Sequence, residues 1–425
     1  MNSAPFALRI GYWDVAFASL MVGFGETYIT AFALAMGYSE RHSGLIATVP
    51  LLLGSLLQLF APFGVRWLQS QRRWVVACAM LQSLALLALA ALGILRYSFQ
   101  LQLDTWVFAA ASAYWCGAMS AAPSWNSWVT SIVPNGQHTH FFALRTRLSQ
   151  LFTLLGLGVA GLCLQGLAEK EERVLMFSLL FAFAGCCRLI SSRILQLHPE
   201  GPRLPKTQGF KRVLARSTWT WLRQRRTFIL IVYMSATQFA VNISGPYFNA
   251  FMLKQLKFDY RHYMILISAT FVARILAGGW FHKLAKSLGP TSLTHLGALL
   301  IIPSPALWLI SNSFSFLIFA QLYSGFAWGC QELGVVLMQI EKQDPSERAR
   351  LLTLTTLLNA AVTCLGSLIG FYLLSAVELR ASDYHHIFVL SSCVRLLPFG
   401  LLFALSDSRI QNGAQRLLQR LSARL

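Results

Sequence analysis

Residues 181–189 read FAFAGCCRL and residues 388–396 read FVLSSCVRL. Phe181 and Phe388, Cys186 and Cys393, Arg188 and Arg395, and Leu189 and Leu396 all pair at one offset, 207. Each arginine lies inside a long apolar run, where a charge costs on the order of 2.5 to 3.5 kcal/mol by insertion scales. The same arginine at the same depth twice points to duplication rather than coincidence. A second match supports this: Arg145, Thr146, Arg147, Leu148 returns as Arg348, Ala349, Arg350, Leu351 at offset 203, and glycines follow at Gly156 and Gly366. The chain reads as two copies of one unit, a pattern that transporters often show.

Apolar residues make up 56% of the 425 positions and charged residues 12%, against roughly a quarter charged in an ordinary soluble domain. Such a chain cannot cover its surface with polar groups, so a bilayer has to cover it. A helix needs about 20 apolar residues to cross the hydrocarbon, and runs of that length recur twelve times. In the first half they lie near Trp13 to Met36, Ser43 to Phe63, Trp74 to Leu95, Thr105 to Ser131, Phe141 to Leu167 and Val174 to Leu195. In the second half they lie near Phe228 to Leu253, Tyr263 to His282, Thr291 to Ile310, Phe314 to Ile340, Leu351 to Val377 and His385 to Leu405. The expected fold is an all-α membrane protein of twelve transmembrane helices in two pseudo-symmetric six-helix bundles. The bundles occupy residues 1–195 and 228–407, with a basic linker at 196–227 and a basic amphipathic tail at 408–425.

The formal net charge is +19, but the basic residues fall in short clusters between apolar runs. That pattern suits a bilayer with an anionic inner leaflet and argues against a nucleic-acid partner. An even number of spans puts both termini on one side. One set of alternate loops holds Arg66, Arg72 and Arg73, then Arg145 and Arg147, then the linker, then Lys283 and Lys286. The other holds balanced charge, such as Glu40 with Arg41, or Glu169, Lys170, Glu171, Glu172 and Arg173. The positive-inside rule therefore places the basic set and both termini in the cytoplasm. The linker interleaves eight lysines and arginines with Phe210, Val213, Leu214, Trp219 and Trp221. Its second part reads as a basic amphipathic helix on the inner leaflet, or as a solvated linker without lipid contact. The first apolar run is too long for a cleavable signal and stays as the first span. The eight cysteines all lie in apolar runs without metal-ligand spacing and read as small buried hydrophobes.

Six helices, a basic linker and six more helices in the same orientation is a plan that resembles the major facilitator superfamily over essentially the whole chain. The signature of that family after its second helix is a glycine, three residues, an aspartate, a basic residue, one residue, a glycine and a basic pair. Gly64, Arg72 and Arg73 match it, while Leu68 replaces the aspartate and Gln71 the second glycine. In the second-half copy Gly289 is kept and Lys286 stands at the aspartate position. The segment Pro123, Ser124, Trp125, Asn126, Ser127, Trp128 before Pro134, with Phe141 and Arg145 after it, is similar to a recurrent bacterial subgroup. The resemblance implies secondary transport by alternating access, a monomer in a bacterial inner membrane, no cofactor and no enzymatic activity. Drug and proton antiporters of the family carry a fifth-helix glycine, three residues, a glycine and a proline. Gly156, Gly158 and Gly161 occur here without the proline, which counts against export.

Each charge within a span needs a reason. Glu26 lies mid-way along the first span, flanked by Gly23 and Gly25, which allow close helix approach or bending. It is the first choice for a carboxyl that loads and releases a proton, the alternative being a glutamate paired with a buried arginine to fix packing. Glu332, beside Gln331 and one turn after Trp328, reads as substrate contact, as a gate, or as an ion pair with Arg145 or Arg147. Arg274 either binds an anionic group or pairs with an acid. The duplicated Arg188 and Arg395 read as packing residues, and Arg72, Arg73, Arg145 and Arg147 as gating or structural charges. Tyr28, Asn126, Gln238, Asn242, Tyr247, Asn249, Trp328, Gln331 and Asn359 offer polar and aromatic groups to a cavity, each with helix packing as its alternative. Pro246 after Gly245 interrupts the seventh span, as a hinge or a tolerated kink.

The favoured function is a proton-coupled transporter of a small organic or amphipathic solute. A lipid or lysolipid translocator of the same fold is the alternative. An intramembrane enzyme would have to be built from His385, His386, Asp383, His138 and His140, which show neither metal-ligand spacing nor a nucleophile motif. A non-transporting receptor is a further possibility, since fold does not fix function.

Overall fold

A computed structural model of the protein describes residues 3–99, 103–133, 138–165, 167, 169–200, 225–340, 345–375 and 381–403. The first six spans are Ser3–Phe24 continued by Ile29–Met36, Glu40–Gln58 continued by Ala61–Leu68, Gln71–Phe99, Asp104–Ile132, His138–Cys163 and Lys170–Gln196. The seventh runs from Arg225–Ser244 through short turns to Gln255, and the eighth and ninth share one run, Tyr260–Ile301. The tenth is Phe314–Ile340, the eleventh Pro345–Ser375, and the twelfth Ala381–Val394 with Leu396–Phe403. The described residues are thus all-α, in an arrangement consistent with two six-helix bundles. The basic linker from 201 to 224 and the tail from 404, where amphipathic helices are expected, lie outside the described residues.

Among the described residues seven helices are long and apolar enough to cross a membrane unaided, and the pair His42–Gln58 and Ala61–Leu68, bent by 53°, makes an eighth. The tenth span falls short of that measure because Gln321, Gln331 and Glu332 interrupt it. Polar groups in a span need protein or a cavity beside them rather than lipid.

The duplication extends to conformation. The first span breaks into a 3-10 turn at Glu26–Tyr28, and the seventh breaks likewise at Gly245–Tyr247, where Pro246 removes a backbone donor. Each turn ends on a fully buried tyrosine. Tyr28 donates to the Leu157 carbonyl of the fifth span at 2.9 Å, and Tyr247 to the Ser367 carbonyl of the eleventh at 2.6 Å. The repeat-matched glycines serve these same crossings. A Cβ on Gly156 would lie 3.1 Å from the Gly23 Cα, and one on Gly366 would lie 2.5 Å from the Phe239 carbonyl oxygen. Small residues are what allow the backbones to approach so closely.

The two surviving signature glycines have different reasons. Gly64 lies under the Trp74 ring, which any Cβ would overlap. Gly289 has φ 80° and precedes Pro290, which turns the chain from the eighth span into the ninth.

The halves meet at the end away from Arg72, Arg73 and Arg145. There Tyr28 and Tyr263 lie 6.1 Å apart, Phe177 and Tyr260 5.5 Å apart, and Ser367 Oγ donates to the Gly44 carbonyl at 3.3 Å. Met264 packs against Gly161. This far end is closed over an apolar cluster from both halves that includes Phe32, Phe181, Phe251 and Phe388.

Three cysteines depart from the expected burial. Cys163, Cys186 and Cys393 are exposed rather than buried. A thiol is apolar enough to face lipid, and the repeat-matched Cys186 and Cys393 share that outward face.

Candidate functional site

Glu26 sits in the break of the first span. Gly25 before it has φ −115° and ψ −76°, and a Cβ on Gly23 would overlap the Thr153 carbonyl. The backbone is therefore pressed against the fifth span while the Glu26 side chain turns elsewhere. Glu26 is partly buried, and its Oε2 accepts a hydrogen bond from Tyr114, a fully buried residue of the fourth span.

From Tyr114 a chain of polar contacts continues. Gln82 of the third span lies beside Tyr114. Gln82 Oε1 accepts from Arg188 Nε at 2.9 Å and Nη2 at 2.5 Å. Arg188 Nη1 donates to Ser191 Oγ at 2.9 Å, and Ser191 donates to Asp14 Oδ1 at 2.8 Å. The other oxygen of Asp14 lies 3.9 Å from Arg145 Nη2, and the Arg145 guanidinium covers the Trp125 ring at 4.0 Å. The run joins the break in the first span to the basic end of the molecule through spans one, three, four, five and six. Charge in such a place is tolerable because each group is paired or hydrogen-bonded.

Asp14, 3% exposed, is a member whose role is not evident from its position in the sequence. It falls at the edge of the first apolar run and so resembles an interfacial residue. A signal was present nonetheless. Arg145 and Arg188 need a counter-charge within the first bundle, and Asp14 and Glu26 are the acids inside its apolar runs.

The remaining candidates separate by partner. Arg274 Nη1 lies 3.1 Å from Glu332 Oε1, so Glu332 pairs with the eighth span and not with Arg145 or Arg147. Arg145 lies beside Asp14 instead, and Arg147 is exposed. Tyr28 and Tyr247 do not line a cavity, since both are fully buried with their hydroxyls on backbone carbonyls. Asn242 Nδ2 donates to the Gln238 carbonyl at 2.8 Å and to Thr363 at 3.2 Å, and Asn359 meets Ser235 at 3.4 Å, which makes them contacts between the seventh and eleventh spans. Gln331, also buried, donates to the Tyr233 hydroxyl. Asn126 is exposed and Trp328 half-buried.

Arg395 donates to the Ile301 carbonyl and to Ser304 Oγ, both at 2.7 Å. It ties the last helix of its bundle to the third, as Arg188 does through Gln82. Arg72 Nη1 donates to the carbonyls of Gln196 at 3.1 Å and His198 at 2.8 Å, and Glu200 lies 3.1 Å from its Nη2. Arg73 is 3.9 Å from the same carboxylate. The basic pair of the signature loop thus caps the sixth span, where a cation suits the carbonyl end of a helix.

The Arg274–Glu332 pair yields a reciprocal prediction. Arg274→Glu and Glu332→Arg should each lower thermal stability, by on the order of 1 kcal/mol for a part-exposed pair, and the double exchange should recover most of it. Unfolding midpoints of the three variants check this, and additive losses would show that the pair is not coupled.

No curated protein matches the chain by sequence. The fold has clear relatives among solved structures. A mutant form of the nucleoside transporter NupG superposes with a TM-score of 0.75 at 12% identity, over 94% of this chain and all of that one. The D-xylose-proton symporter gives 0.70 at 12% identity, over 95% of this chain and 98% of that one. A bacterial homolog of the human lysosomal transporter Spinster, inward-facing and unoccupied, gives 0.65 at 13% identity over 95% and 96%. The sequence profile of the Major Facilitator Superfamily matches residues 15–371. With related helical halves and that match across most of its length, the chain belongs to the Major Facilitator Superfamily of membrane transporters.

Proposed function

We propose that the protein is a proton-coupled secondary transporter that moves a small organic or amphipathic solute by alternating access, with Glu26 as the coupling carboxyl. The observation that carries this is the position of Glu26: a partly buried carboxylate, at a helix break, held by a Tyr114 hydroxyl. When ionised it accepts that bond. When protonated it keeps acceptor capacity and gains a donor of its own, so it can offer a neighbouring group a hydrogen bond that the carboxylate cannot. The polar chain to Asp14 and Arg145 links that change to the end that the loop charges place in the cytoplasm. The closed far end corresponds to an inward-facing conformation. Of the similar structures, one is named for nucleosides and one for a sugar moved with protons, which favours a small polar organic cargo.

The test begins with thermal stabilisation of the purified protein by sugars, nucleosides, amino acids, organic acids, drugs and lysolipids at two pH values. The best ligand is then followed into proteoliposomes. Uptake driven by a pH gradient should be lost in Glu26→Gln, while exchange of labelled for unlabelled ligand at equal pH continues. Undiminished gradient-driven uptake would refute the role of Glu26. Stabilisation by acyl-chain ligands alone, equal in the variant, would replace the reading with a lipid translocator.

A further inference from the structure

A cavity of about 520 Å³ opens at the closed far end, on the seam between the halves. Arg173 of the sixth span enters it from the first half, and Lys254 and Lys257 from the second. Leu34, Leu164 and Leu253 supply apolar walls. Asp259 is the one carboxylate among the lining residues, and it is already engaged as the cap of the eighth span. Its Oδ1 accepts from the His262 backbone at 2.8 Å and lies 2.6 Å from His262 Nδ1. Glu171 and Glu172 precede Arg173 on its helix but do not line the cavity.

Two features of this cluster ask for a ligand. Closing the far end brings Lys254 and Lys257 into one cavity with Arg173, whose Nε donates to the Glu169 carbonyl at 3.3 Å, and like charges gathered there weaken the closure. Lys257 also holds φ 52°, in the left-handed region. A helix end of that kind ordinarily carries glycine, and a side chain there costs on the order of 1 kcal/mol. A lysine kept in a glycine conformation at the rim of a cationic cavity points to work for its charge.

We infer that this cavity binds a phosphate group, free or as the headgroup of an anionic phospholipid, and that binding holds the far end closed. Lysine and arginine are both suited to phosphate oxygens, and the leucine walls accommodate an attached apolar body. The site is complete only when the halves meet. A ligand that requires both halves favours the conformation in which they touch. The inference goes beyond the transport reading and does not use Glu26.

The test uses the full-length protein in phosphatidylcholine nanodiscs, compared with Lys254→Gln/Lys257→Gly. Glycine suits the backbone at 257, so the double variant should melt no lower than the parent without ligand. Thermal unfolding is followed with inorganic phosphate at matched ionic strength and, separately, with phosphatidylglycerol in the disc. Near saturation the parent should gain roughly 5 °C, and the double variant should lose that gain. A gain from inorganic phosphate identifies a free anion, and a gain from phosphatidylglycerol alone identifies a lipid headgroup. Because the chain carries a net charge of +19, a general response to anionic lipid is shared by both proteins, and only the part lost in the variant counts. No gain from either source, or equal gains in both proteins, would overturn the inference. The gain should also vanish in Gly44→Val, where a Cβ overlaps Tyr247 across the seam; a gain that persists there would overturn the link to closure.

Discussion

Asp14→Ala is expected to destabilise the first bundle by about 3 kcal/mol or more, the range seen when one member of a buried ion pair is removed. Asp14 accepts from Ser191 at 2.8 Å and faces Arg145 at 3.9 Å. Among the described residues, alanine would leave Arg145 with the Trp125 ring beneath it and no carboxylate, and Ser191 with no acceptor at that position. In water a solvent molecule would replace the lost partner, but within a bilayer the protein has to satisfy its own polar groups. Asp14→Asn keeps an oxygen for Ser191 and loses only the charge, so its loss should be smaller. Arg145→Ala combined with Asp14→Ala should melt above the sum of the two single losses, because the second change removes the charge that the first exposes. Thermal unfolding in detergent orders the four proteins. If Asp14→Ala melts with the parent, the polar chain from Glu26 to Arg145 does not hold the bundle together.

The legible and illegible parts of this molecule divide along a physical line. Whatever depends on one helix meeting lipid, or on one half copying the other, is visible in the chain. The apolar runs, the pairing of Arg188 with Arg395 and that of Gly156 with Gly366 belong here, and each matched pair occupies a matched place. The glycines around Glu26 likewise mark the break in the first span by residue type alone. What the chain withholds is which face of one helix meets which face of another. Tyr114 is 88 residues from Glu26, and no periodicity within either span identifies the other as its partner. The same limit explains Glu332, whose charge calls for a cation without saying which of Arg145, Arg147 or Arg274 is in reach. It also explains Tyr28 and Tyr247. A tyrosine in a span needs an acceptor, and a backbone carbonyl on a helix packed through glycine satisfies it as well as a ligand does.

Gly44→Val is expected to abolish transport while leaving both bundles folded. Gly44 of the second span lies against the Tyr247 ring of the seventh, and a Cβ there would overlap that ring. The ring cannot swing aside, because Tyr247 is fully buried and its hydroxyl is fixed on the Ser367 carbonyl at 2.6 Å. The Gly44 carbonyl is itself held by Ser367 Oγ at 3.3 Å, so backbone retreat at this point breaks a second contact across the seam. The nearest atoms to the added bulk all belong to Tyr247 across the seam, and the expected response is separation of the halves at the far end. A protein that works by opening and closing that end should then be held open. Tyr263, buried at the seam in the closed form, reports the change. In a background without the native cysteines, Tyr263→Cys should resist a membrane-impermeant maleimide when residue 44 is glycine and react with it when residue 44 is valine. Protection in both proteins, or transport undiminished in Gly44→Val, would mean that the Gly44–Tyr247 contact is not where the halves part.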